Sequence, residues 1–138
     1  MKFSKDFKKI KGDASFREFY RNKKKNSILV YANKEKNTNL LIYDAVNKIL
    51  IKNKVIAPSL IYQNYQKNYI EIKDLGNKTI YQIFIANNKN LYPIFKKIIK
   101  VLNKIQLINK ENSIKTIDLI FNYENELNNR SIKIDGLN

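Results

Sequence analysis

The run Ser27-Ile28-Leu29-Val30-Tyr31-Ala32-Asn33 constrains the chain more than any other. It is apolar, rich in β-branched and aromatic side chains and too short for a helix, so it predicts a central strand. A central strand needs neighbours, and the preceding residues supply one. From Arg17 to Asn22 the chain alternates, with Phe16, Glu18 and Tyr20 on one side and Arg17, Phe19 and Arg21 on the other. Lys23-Lys24-Lys25-Asn26 then reads as a solvated hairpin connection. Upstream, Lys11-Gly12-Asp13-Ala14-Ser15 reads as a tight turn, and Phe7-Lys8-Lys9-Ile10 as a first strand or the end of a short helix. A glycine turn of this kind can aim backbone amides at an anion, and it can equally be an ordinary hairpin turn.

At Thr38 the hydrophobic period changes. Leu41, Ala45 and Ile49 form one helical stripe, with Ile42, Val46 and Leu50 beside it, predicting a helix capped by Thr38 and running to about Asn53. After the turn Ala57-Pro58-Ser59, residues Leu60 to Tyr65 and Asn68 to Leu75 read as two further strands, closed by Gly76-Asn77. Thr79 to Ala86 predicts a short helix. Leu91 to Ile108 predicts a long one, with Pro93 in its first turn and Ile94, Ile98, Val101, Leu102 and Ile105 as its buried stripe. The predicted class is α+β: a five-stranded antiparallel sheet with one crossing helix, followed by helices.

Composition narrows the chemistry. The 138 residues contain no histidine, which removes the commonest general acid/base, every Ser-His-Asp arrangement and most transition-metal sites. There is no cysteine, hence no disulfide framework or thiolate site. No signal-peptide pattern opens the chain, and no apolar run approaches the ~20 residues that span a bilayer. The expected location is cytoplasmic, with no membrane partner. The net charge of +15 points toward nucleic acid. Yet 24 of the 27 basic residues are lysine, and Lys, Asn, Ile and Tyr, all abundant here, are residues of A/T-rich codons, so genome composition can account for much of the excess without a polyanionic partner. Base-edge reading favours arginine, which is scarce here.

Two ordered stretches resemble a known family. Gly12-Asp13-Ala14-Ser15-Phe16-Arg17-Glu18-Phe19-Tyr20-Arg21 is similar to the glycine loop of aminoglycoside-phosphotransferase-like kinases, closest to the bacterial N-acetylmuramate/N-acetylglucosamine anomeric kinases. Some fifty residues on, Tyr69-Ile70-Glu71-Ile72-Lys73-Asp74-Leu75-Gly76-Asn77-Lys78-Thr79 resembles the family's hinge. The likeness implies a kinase-like N-terminal lobe over residues 1–76, and over 77–138 the helices after the hinge with the truncated start of a second lobe. It implies ATP beneath the glycine turn: amides of Asp13, Ala14 and Ser15 and the Ser15 hydroxyl facing phosphates, Arg17 adding charge, and main-chain groups at Glu71, Ile72 and Lys73 pairing with adenine. Lys34 and Asp44 stand nearest to that fold's phosphate-pairing lysine and its helix acid.

The sequence departs from the family in what it lacks. The catalytic loop and the metal-binding aspartate motif belong to a second lobe that these residues do not contain, so the expected chain is inactive alone. Mg²⁺ enters only if another chain supplies that lobe. Two other readings compete. One is a small basic nucleic-acid-binding protein, against which Tyr20, Tyr31 and Tyr69 occupy core-like positions rather than a stacking face. The other is an interaction module covering a partner with the apolar patch at Ile117–Phe121.

Overall fold

The computed structural model describes residues 4–11, 16–32, 38–86, 91–111, 113–115, 117–118 and 122. Its elements follow the expected order: β1 (Lys8–Ile10), β2 (Glu18–Asn22), β3 (Ser27–Tyr31), α1 (Thr38–Lys52), β4 (Leu60–Asn64), β5 (Tyr69–Lys73), α2 (Ile80–Ala86) and α3 (Tyr92–Gln106). The class is α+β, with five antiparallel strands in the order β1-β2-β3-β5-β4. The chain therefore makes a three-strand meander, crosses by α1, and returns with β5 inserted between β3 and β4.

Local chemistry explains the corners. Asn26 takes a left-handed φ of 50° in the β2–β3 hairpin, a conformation asparagine tolerates better than most residues. The Asn22 side chain accepts the Lys25 amide (3.2 Å) inside the same turn. Between β4 and β5 a single 3₁₀ turn (Tyr65–Lys67) is opened by Asn64, whose side chain accepts the Lys67 amide, and closed by Asn68 at φ 56°. Thr79 and Gln82 begin α2 with a reciprocal pair of bonds, each side chain accepting the other's amide (3.2 and 3.0 Å). Pro93 sits in the first turn of α3, as expected.

The pairing register divides the sheet into two faces. Ile10, Phe19, Val30 and Ile70 lie across one face, and beside them Lys8, Arg21, Ile28, Ile72 and Leu60. This face carries the core, because Leu40 and Tyr43 of α1 pack with Ile28, Val30, Ala32, Ile70 and Ile72. Val30 and Ile70 are fully buried. β3 is buried at four of its five positions, as a central strand should be.

Two helices differ from expectation. On α1 the stripe Leu41, Ala45, Ile49 is buried, but Ile42 and Val46 are exposed, and Leu40, Asp44 and Asn47 take the inner positions instead. The aspartate is tolerated there because Lys48, one turn on, pairs with it at 2.6 Å and Tyr65 offers its hydroxyl at 3.4 Å. On α3 no residue is buried: Val101, Leu102 and Ile105, expected in the core, are 45, 51 and 41 % exposed. Periodicity marks an apolar face; it does not provide the surface that covers it. Phe95 of α3 does meet Phe84 of α2, ring to ring at 5.2 Å. It follows that Leu102→Gln or Ile105→Gln will change unfolding free energy by less than about 1 kcal/mol in urea melts, the scale of surface substitutions. A loss of several kcal/mol would mean the stripe is covered after all.

Candidate functional site

The residues singled out by sequence fall into three groups. Gly12, Asp13, Ala14, Ser15 and Lys34 lie outside the described residues. So does most of the Ile117–Phe121 patch, of which only Ile117 and Asp118 are described. The remainder are placed by β2 and β5.

Arg17 stands just before β2, directed toward α1. Its guanidinium lies over the rings of Phe16 (5.1 Å) and Tyr43 (5.2 Å), and its Nε donates to the Asn39 side-chain carbonyl at 3.1 Å. These contacts fix the exit of the glycine turn against the start of α1. Arg17 is thereby a structural tie, whatever charge it adds nearby.

Glu71, Ile72 and Lys73 diverge because alternate strand residues point to opposite faces. Ile72 is buried in the α1-side core, whereas Glu71 faces away from α1 and accepts a hydrogen bond from the buried Ser27 hydroxyl. Lys73 is exposed at the strand end. Their main chain runs in an interior strand with neighbours on both sides. The Lys73 amide donates to the Ser59 carbonyl (2.9 Å) and the Asp74 amide to the Asn26 carbonyl (3.0 Å). The backbone from Glu71 to Asp74 is thus engaged by β3, β4 and the loops beside them, and the chain leaves the sheet after Asp74.

Sequence reading missed the clasp that holds this exit. Arg21, from β2, reaches across the sheet end to Asp74: Nε lies 2.6 Å from Oδ2, and Nη2 donates to Oδ1 (3.1 Å) and to the Gly76 carbonyl (3.0 Å). Asp74 also accepts the Gly76 amide (2.8 Å), which folds the segment back at Gly76, φ 96°. The Asp74 side chain is 8 % exposed and Arg21 21 %, so the pair is largely shielded from water. The two residues are 53 apart in sequence, and only the register, which sets Arg21 across from Ile28 and Ile28 across from Ile72, brings them together.

Register sets the described strand ends: Ile10 and Phe19 stand at one end of the β1–β2 ribbon, and the β5 exit lies at the other, beside Asn22 and Ser27. A ligand touching both would lie along the ribbon's α1-side face, past Ile10, Phe19, Lys8 and Arg21, over about 10 Å at ~3.3 Å per residue. Among the described residues no group of three His, Cys, Asp or Glu side chains could hold a metal ion, and no helix is long and apolar enough to cross a membrane.

The far face carries a different set. Tyr20, Tyr31 and Tyr69 lie there with Tyr62, not in the core, because each is in register with the others or with Leu29 and Glu71. Tyr62 and Tyr69 stack at 6.0 Å. Two carboxylates stand among them. Lys9 pairs with Glu18 at 2.8 Å and, with the Tyr20 hydroxyl donating to the same group, keeps its carboxyl below the usual range. The bond to Glu18, then burial, pushes the Tyr20 phenol up to about 12. A phenol that holds its proton more tightly when folded stabilises the fold fully below its ordinary value near 10 and loses that contribution as pH rises toward 12. Burial also raises the Tyr69 phenol. Phenolate absorbance is therefore expected to show a late-titrating component near 12 that shrinks by one tyrosine in Tyr20→Phe and moves down in Glu18→Ala. An unchanged late component in Tyr20→Phe would contradict the assignment.

Comparison with protein-family models, with curated proteins and with solved structures finds no match for this chain.

Proposed function

We propose that the chain is the nucleotide-holding N-terminal lobe of a small-molecule kinase of the aminoglycoside-phosphotransferase type. It binds ATP weakly and transfers no phosphate alone. The observation that carries this reading is connectivity. A β1-β2-β3 meander, a crossing helix, and a β4-β5 return with β5 beside β3 leave the Ile10–Phe19 end of β1–β2 and the segment after β5 at opposite ends of the sheet. Such a lobe requires that arrangement: donors over the phosphates at one end, a main-chain edge for the base at the other. In this reading Gly12 to Ser15 supply the first and the backbone beyond Asp74, braced by Arg21, supplies the second. Ile10 and Phe19 provide the apolar floor between them. In this reading the metal and the catalytic base come with a second lobe.

Titrating Mg·ATP while following backbone amides by NMR tests the reading. Saturable shifts are expected at Ile10, Phe19 and Leu75 to Asn77, with no ADP formed. Gly12→Val, which adds bulk beside the expected phosphate donors, should abolish them. Shifts confined to lysine-rich segments, or none, would overturn it.

One observation favours a second reading, single-stranded nucleic acid. Tyr20, Tyr31, Tyr62 and Tyr69 share the sheet face turned from α1, which is where base-stacking side chains must stand. Glu18 and Glu71 on that face oppose a phosphate backbone. If the face binds oligonucleotide, Tyr62→Ala will weaken binding by about tenfold, as loss of a stacked base does. Equal affinity in the variant would dismiss the stacking face.

A further inference from the structure

A depression of about 220 Å³ lies at the hairpin end of the β1–β2 ribbon, lined by Lys5, Asp6, Lys8, Arg21, Lys23 and Lys24. Three separate stretches build it: the turn before β1, one position of β1, and the end of β2 with its hairpin. Its walls are held in place. Lys24 pairs with Asp6 at 2.8 Å, tying the hairpin to the N-terminal turn, and Arg21 is anchored by Asp74. Those two pairs cancel their own charge. Lys5, Lys8 and Lys23 also line the depression and have no carboxylate partner among the described residues, so three lysine charges stand around it without compensation. Like charges gathered this way repel, and a bound anion relieves the repulsion.

We propose that this depression binds a phosphoryl-bearing anion with two or more negative charges. The uncompensated charge matches such a ligand better than a monovalent one. Lysine ammonium groups suit phosphate oxygens as point charges, while the fork of Arg21 is already occupied by a carboxylate. The volume falls below the ~300–1,000 Å³ of pockets for drug-sized ligands, and so suits pyrophosphate or a small phosphate ester. The site does not rest on the nucleotide reading: it shares Lys8 and Arg21 with the path drawn for the nucleotide, but Lys5, Asp6, Lys23 and Lys24 line this depression alone.

Inorganic pyrophosphate is the probe. NMR titration is expected to give saturable shifts in the amides of residues 5–8 and 21–24. Lys8→Gln and Lys23→Gln should each weaken binding by about three- to tenfold, the worth of one charge-assisted contact. Both side chains are exposed, and the ligand-free spectra report whether the variants fold. Lys5→Gln gives a third, independent variant. Lys96→Gln and Lys104→Gln on α3 remove the same charge elsewhere and should leave the affinity unchanged. If the α3 substitutions weaken binding as much as the pocket ones, or if sulfate at equal ionic strength reproduces the shifts, the anion is held by diffuse charge and the site is refuted. Pyrophosphate binding here with no response to ATP at Leu75 to Asn77 would keep this inference and reject the nucleotide lobe; the converse would reject this inference alone.

Discussion

Ile70→Ala is expected to lower the unfolding free energy by about 2–5 kcal/mol, read as a shift in the urea midpoint with little change in slope. Ile70 has no solvent exposure and stands across from Val30, itself fully buried, at the middle of the sheet. Removing three carbons there leaves a void between two interior strands and α1, which a laddered backbone cannot close by moving. Against a typical total of about 5–15 kcal/mol, this one change decides whether the chain stays folded. Ile56→Ala is the control, since Ile56 is 88 % exposed and its loss should register below about 0.5 kcal/mol. Similar costs for the two would mean that β3 and β5 do not form the core.

Asp74→Ala should be the next most damaging substitution, at about 2–4 kcal/mol, because it strands the Arg21 guanidinium in a mostly shielded position and takes the acceptor from the Gly76 amide. Exchanging both partners at once, Arg21→Met with Asp74→Leu, should cost less than Asp74→Ala alone, since no charge is left unpaired. A double-mutant cycle gives the coupling directly, and a value near zero would make the pair a surface contact of no consequence. In Asp74→Ala, hydrogen exchange at Gly76 should also quicken, because its amide loses its acceptor.

The strands and helices were legible because each announces its period: a short apolar run at Ser27–Tyr31, alternation from Glu18 to Asn22, a break at Ala57-Pro58-Ser59, and a cap at Thr79. Sheet order was not legible, since nothing local tells β5 to pair with β3 rather than lie at the edge. Which helix face is covered could not be read either. α1 buries Asp44 because Lys48 and Tyr65 satisfy it, and α3 leaves Leu102 in water, and both outcomes depend on neighbours distant in sequence. The tyrosines misled for a related reason. Tyr20, Tyr31 and Tyr69 sit in strands that border the core, but strand parity sends all three to the other face. Within Tyr69–Thr79, the strand and the bend at Gly76 follow from local residues, whereas the Arg21–Asp74 clasp emerges only from register.

Photolabelling with an azido-adenine analogue of ATP, followed by peptide mapping, addresses the nucleotide clasp most directly. The account predicts a single saturable label within Asp74 to Thr79, competed by ATP and lost when Gly12→Val removes the phosphate cradle. Label spread over the lysine-rich surface, or concentrated on Tyr62 and Tyr69 across the sheet, would contradict it.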